Sequence, residues 1–249
     1  MMSQLKLWAC ALALALATGT AHADTVLATN AVSGWTVTRY TGPGASYNTA
    51  TYSVDPTVNN IAAVLVDITQ WPASDFWTAQ NNPTLAASNA KWISSNTNSG
   101  AGSSDPNFTK YVYNGSFTLP SASDLAFTFA ADNFVDKLVL STGANGTGTI
   151  LTTWTNTTVP LGDPTTNGAG KVWGFTLANV QSLLTSGNGT IFITADTYNF
   201  DTALSPPYNP GPNGFIMAVN TAPVPLPAAM WGGLSLFAGL GVIRRVRRK

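Results

Sequence analysis

The chain has 249 residues, of which only 9% are charged, with no glutamate, one cysteine (Cys10) and one histidine (His22). Beyond residue 23 there is no imidazole or thiol, which excludes Ser-His-Asp and Cys-His catalysis and zinc sites built from His or Cys. The formal charge of zero is the sum of opposed parts: residues 24–222 hold eleven aspartates against five bases, a net −6 without any basic cluster, and so no nucleic-acid partner.

In chain order, Lys6 precedes an apolar run over 7–17, then "TGTAHA" and Asp24. A basic start, a short apolar core and a small-x-small site formed by Ala21 and Ala23 predict a signal peptide over 1–23, cleaved after Ala23. The run is too short to span a bilayer, which takes about 20 residues. An exported domain is expected over 24–222. Without cysteine it has to be held by its core rather than by disulfides.

The periodicity of that domain is that of strands. "WTVTRY" (35–40), "YVYNGSFTL" (111–119), "LAFTFAA" (125–131) and "TIFITADT" (190–197) alternate apolar with polar or small residues. "IAAVLVDI" (61–68), "VDKLVLS" (135–141), "TILTTWT" (149–155), "VWGFTL" (172–177) and "GFIMAVN" (214–220) are further strand-length runs. Between them stand turn-forming "GPG", "NG", "GANGTG", "NGAG" and "GNG". About nine short strands with these breaks predict an all-β, antiparallel, jelly-roll-like sandwich. "PTLAASNA" and "LANVQSLL" are each expected to form one short helix, and "SSNTNSGAGSSDPN" (94–107) a long loop. The stretches beginning at Ser116 and Gly174 echo one another, each leading from Phe-Thr-Leu to a strand that ends in Ala-Asp.

Three groups of residues invite a functional reading. In "WPASDFWTAQNNP", Trp71 and Trp77 stand beside Asn81 and Asn82; flat aromatic faces with amide hydrogen bonders suit an oligosaccharide, and equally suit a plug at the open end of the core. Asp132, Asn133 and Asp136 at one strand end, and Asp196, Asn199 and Asp201 at another, offer the oxygen ligands calcium prefers, though neither has EF-hand spacing. Ser88-Asn89-Ala90-Lys91 fits S-x-x-K but has no K-T-G or S-D-N partner and reads as chance in an all-β setting. No catalytic residue and no cofactor are assigned. Asp-only glycosidase chemistry stays open, because two carboxylates in different environments suffice for it.

The last 26 residues combine "VPLP" (Val224, Pro225, Leu226, Pro227), an uncharged apolar segment over 228–243 and a basic end of Arg244, Arg245, Arg247, Arg248 and Lys249. Sixteen residues make a helix of about 24 Å, slightly short of a hydrocarbon core of about 30 Å. Trp231 and the arginines can extend it to both interfaces, and the five charges hold the C-terminus in the cytoplasm. This order of proline motif, hydrophobic helix and basic end resembles the PEP-CTERM sorting signal of bacterial exported proteins, with Leu226 where that signal usually has Glu. The resemblance covers 223–249. It implies recognition by an exosortase, passage through the inner membrane to the cell surface or matrix, and association with exported polysaccharide. The strand order over 111–143 and 187–220 is similar to that of β-sandwiches found ahead of such tails. The expected role is structural or adhesive, with a carbohydrate-binding module as first alternative and an Asp-based glycosidase as second.

Melting in excess calcium and then in chelator tests the absence of a cofactor. Identical midpoints are expected, whereas calcium held only by the native state at 100 times Kd would add about 2.7 kcal/mol.

Overall fold

The computed structural model describes residues 24–30, 34–41, 52–66, 79, 81–95, 109–119, 124–132, 134–157, 171–178, 180, 189–199 and 213–221. Within the unit Asp24–Ala222, the alternating sequences become the longest strands. β7 (Thr109–Thr118) buries Tyr111, Tyr113 and Phe117 on one face and turns Lys110, Val112, Asn114 and Ser116 to the other. β8 (Leu125–Asp132) and β12 (Thr190–Asn199) follow the same period over their first halves. Period-two patterning thus sets which face meets the core.

The other strands are β1 (Thr25–Ala28), β2 (Thr36–Thr41), β3 (Ser53–Val54), β4 (Ile61–Ala62), β5 (Val64–Leu65), β6 (Ile93–Ser94), β9 (Phe134–Ser141), β10 (Ile150–Thr155), β11 (Trp173–Leu177) and β13 (Gly214–Thr221). They form two antiparallel sheets. One has the order β10-β9-β12-β7-β2-β3, with β4 also on β2; the other runs β11-β8-β13-β6-β5, with β1 also on β13. One edge of β2 is therefore shared by two short strands, β3 at Tyr40 and Thr41 and β4 at Thr36 and Val37. The edge of β13 is shared in the same way by β1 and β6. The two echoing stretches stand side by side: β7 pairs with β12 and β8 with β11.

Between the sheets lies an aromatic core. Phe215 stacks on Tyr113 at 5.2 Å and meets Trp35 at 5.7 Å; Phe127 stacks on Phe175 at 4.6 Å, and Phe129 meets Trp154 edge-on at 4.9 Å. Trp35, Trp92 and Trp173 are buried, and Trp154 is partly buried against the core. A polar chain crosses this layer: Ser94 Oγ donates to Asn213 Oδ1, and Asn213 Nδ2 donates to Tyr111 Oη at 3.1 Å.

A second, smaller core lies on the outer face of the six-stranded sheet. Helix α1 (Pro83–Ala87) places Leu85 beside Trp92, Ile216, Ala130 and Ala218. β13 is thereby buried on both faces, which is why "GFIMAVN" runs apolar without alternating. α1 starts where Asn82 Oδ1 accepts from the N–H groups of Thr84 (3.0 Å) and Leu85 (3.4 Å), with Pro83 in the first turn.

The sequence expectation of one strand over 61–68 is corrected. β4 belongs to the seven-stranded sheet and β5 to the six-stranded one. Ala63, fully buried, carries the chain between them and donates its N–H to Trp35 O at 3.0 Å. An apolar run serves a crossing through the core as well as it serves a buried strand. The helix expected over 83–90 is present as α1; of the one expected over 177–184, Leu177 lies in β11 and most of the rest falls outside the described residues. So do the signal peptide, the 224–227 motif, the apolar segment and the basic tail. Among the described residues no helix is long and apolar enough to cross a membrane.

Gly115 on β7 lies directly under the Trp35 ring, where an added Cβ would stand 2.8 Å from three ring carbons. Gly115→Ala is expected to lower stability by about 1–3 kcal/mol, the usual cost of overfilling a close-packed site. Chemical denaturation reads it directly; an unchanged midpoint would mean that the indole shifts without cost.

Candidate functional site

The sheets differ in what covers them. The outer face of the six-stranded sheet is closed over β13 and β8 by α1 and its flanking residues. On the seven-stranded sheet, the outward positions of β2, β7, β12 and β9 carry polar and aromatic side chains, with two valines, in rows set by register. Tyr40, Lys110 and Tyr198 form one row; Thr38, Val112, Asp196 and Lys137 the next; Thr36, Asn114, Thr194 and Val139 the third.

The first two rows build a charge cluster. Asp196, 6% exposed, receives Lys110 Nζ at 2.9 Å and Lys137 Nζ at 3.4 Å, both on Oδ2. Lys110 also lies over the Tyr40 and Tyr198 rings, 5.7 and 5.9 Å from their centroids. On β9 the ladder slips between Val135 and Lys137, so that Asp136 is the extra residue of a bulge. Bulges re-aim side chains, and Asp136 comes under the influence of Asp196, Lys110 and Lys137. Burial first, and the Asp196 charge second, push its carboxyl above the ordinary value of 3.8.

The third row leads into a pocket of about 170 Å³ lined by Gly34, Thr36, Asn60, Asn114, Gly115, Ser116, Ala144, Asn145 and Phe192. Its rim includes the 3₁₀ turn Ala144–Gly146, which lies against β12. Asn60 (φ 52°) and Asn145 (φ 56°) hold the left-handed backbone there, a conformation asparagine tolerates better than most residues. Thr194 Oγ1 donates to Asn114 Oδ1 at 2.8 Å, and the Asn60 N–H donates to Thr38 Oγ1 at 2.9 Å. Among the described residues no charged side chain lines the pocket.

The residues singled out from sequence are distributed elsewhere. Trp71, Trp77, Asn133 and Asp201 fall outside the described residues. Asn81 is exposed, and Asn82 caps α1 on the side of the six-stranded sheet, so both lie across the sandwich from the pocket. Asp132 is 3% exposed at the end of β8 opposite Gly214, whereas Asp136 belongs to the other sheet. Among the described residues no three acidic side chains converge as metal ligands. Ser88 closes α1, donating to Asn220 Oδ1 at 3.1 Å and accepting from Thr25 Oγ1 at 3.2 Å, a structural tie that accounts for it without catalysis. Lys110, Asn114, Asn145 and Phe192 were not singled out, because only cross-strand register brings them to one face.

No family model matches the chain, and no curated protein matches it. Among solved structures, the chain is similar to the module TmCBM61 in complex with β-1,4-galactotriose, at 16% identity and a TM-score of 0.26, covering 47% of this chain and 66% of that one. It is also similar to a β-glucosidase from Kluyveromyces marxianus (12%, TM-score 0.32, 82% and 20%). A third is the epithelial adhesin 6 A domain from Candida glabrata in complex with Galβ1-3GlcNAc (10%, TM-score 0.29, 82% and 87%). At TM-scores of this size the likeness says nothing of what this chain binds.

Two aspartates should give opposite pH signatures. Hydrogen bonds from the Thr57 hydroxyl and then from Arg39 lower Asp55 from 3.8 to about 2, with Arg39 Nε at 2.9 Å. The fold favours its ionised form, so that stabilisation is complete above 3.8 and is lost as pH falls through about 2. Asp136, raised, contributes fully below 3.8 and loses that contribution as pH rises through its elevated value. Asp55→Asn is expected to destabilise at neutral pH, with the difference from the parent vanishing in strong acid. Asp136→Asn is expected to stabilise at neutral pH and to change nothing in acid. Denaturation midpoints across the pH range check both signs.

Proposed function

We propose that this chain is an exported protein of the cell surface or extracellular matrix, sorted by an exosortase through its C-terminal signal, with a structural or adhesive role alongside extracellular polysaccharide. The observation that carries this reading is a coincidence of boundaries. The compact unit Asp24–Ala222 starts directly after the expected cleavage at Ala23 and stops with only Pro223 between it and Val224 and Pro225, which open the sorting motif. Proline restricts both its own φ and the residue before it, so 224–227 favours extended backbone, accessible to a protease.

The role is non-enzymatic. Both lysines converge on one oxygen of Asp196 and hold it in an ion pair with partners on two neighbouring strands. Low charge and edge strands shared between short segments suit a durable, weakly charged surface module. The alternative of a carbohydrate-binding module is favoured by one observation, the pocket whose described lining is amides, hydroxyls and one aromatic ring.

In the native host the mature protein is expected to begin at Asp24 and to lack everything beyond the 224–227 motif, including all five terminal charges. In a strain without the exosortase it should keep Lys249 and stay with the inner membrane. Intact-mass analysis of both strains reads the two termini. A form still ending in Lys249 with the enzyme present would reduce the tail to an anchor.

A further inference from the structure

The geometry points to the pocket between the Ala144–Gly146 turn and strands β2, β7 and β12 as a binding site for one sugar ring of a neutral, hydroxyl-rich polysaccharide. This deepens the polysaccharide association proposed above and rests on it, by naming the place and the class of glycan.

The lining decides the chemistry. Asn60, Asn114, Asn145, Thr36 and Ser116 supply amides and hydroxyls, which both donate and accept hydrogen bonds. Sugar hydroxyls do the same. A carboxylate or phosphate only accepts, and its usual partners, Arg and Lys, are missing from the described lining residues. Phe192, half-buried, contributes an apolar ring for the C–H side of a pyranose.

Several of these groups are already oriented. Because Asn114 Oδ1 accepts from Thr194 Oγ1, its amide nitrogen is the end left for a ligand. The turn carrying Asn145 is closed by Thr147, whose N–H donates to Ala144 O at 3.1 Å and whose hydroxyl donates to the same oxygen at 2.6 Å. Side chains fixed before binding lose less entropy on binding. The volume, about 170 Å³, is below the roughly 300 Å³ at which pockets begin to enclose drug-sized ligands. It suits a single ring, with the rest of the polymer passing over the exposed rim at Ser116, Ala144 and Asn145.

Charge selects against acidic polymers. Residues 24–222 carry a net −6, and the two lysines on this face are engaged with Asp196. A polyuronate would meet repulsion without a compensating cation.

The test is affinity electrophoresis of the protein as purified from its native host, through gels containing dextran, laminarin, galactan, alginate or the neutral fraction of the host's own exopolysaccharide. Retardation by at least one neutral polymer and none by alginate is expected. Asn145→Gly removes the side chain while suiting the left-handed backbone, and Phe192→Ala removes the ring. Each is expected to weaken binding about ten-fold, the scale of one lost contact; Asn145→Gly should leave the melting midpoint unchanged, and Phe192→Ala, which removes a partly buried ring, should lower it while keeping a cooperative transition. If both variants bind neutral polymer at full strength, the pocket is wrong while the association with polysaccharide stands. Preferential retardation by alginate overturns the neutral-glycan assignment. No retardation by any polymer overturns both.

Discussion

Strand β13 is pressed between two layers of apolar side chains. Phe215, Met217 and Val219 face the aromatic core, and Ile216 and Ala218 face the smaller core under α1. With the single cysteine at position 10, residues 24–222 have no covalent staple, so burial must do this work. A fully buried Val, Ile, Phe or Met side chain contributes about 1.5–3 kcal/mol. Burying both faces of one strand concentrates that gain where three neighbours, β8, β1 and β6, hydrogen-bond to it. Alanines at 130 and 218 keep the outer layer thin enough for α1 to reach the sheet. Larger residues there would lift the helix and uncover Trp92.

The asymmetry of the sandwich follows from this arrangement. One outer face is spent on the second core. The other carries mostly polar side chains, buried around Asp196 and more exposed around Asn114 and Ser116, and these two regions differ in character. At the Asp196 end, charges are paired and shielded by the Tyr40 and Tyr198 rings, so the cluster acts as a rigid tie between β7, β12 and β9. At the Asn114 end, amides and hydroxyls stand around a small depression. The fixed charges at one end and the hydrogen-bonding groups at the other share β7 and β12, which ties the pocket's geometry to a salt-bridged frame.

Much of the fold is legible in the chain because side-chain alternation and burial are the same fact on a strand with one dry face. That is why 111–119, 125–131 and 190–197 read correctly. Strands of two residues, such as Ser53–Val54 and Ile93–Ser94, are too short to carry a period and went unread. The run at 61–68 misled because hydrophobicity reports burial, and Ala63 is buried while crossing between sheets. The face holding the pocket was not legible at all. Tyr40, Lys110 and Tyr198 meet only through the pairings of β2 with β7 and β7 with β12, and register is a property of the folded sheet. The aromatic signal pointed to Trp71 and Trp77, while four other tryptophans, Trp35, Trp92, Trp154 and Trp173, serve the cores.

The first and last strands of the sandwich lie next to each other. Asp24 N–H donates to Thr221 Oγ1 at 2.9 Å, Thr221 N–H donates to Asp24 O at 2.8 Å, and β1 runs antiparallel to β13 from there. Mechanically, this decides how the domain bears load. A pull on Thr221 along the axis of β13 strains the ladders to β8 and β1 lengthwise, so many hydrogen bonds resist together. A strand peeled from a sheet edge would instead yield them one at a time. Under steady tension, survival is set by the rate of forced unfolding rather than by equilibrium stability. A load applied through Thr221 would therefore fall on a strand that is buried along nearly its whole length.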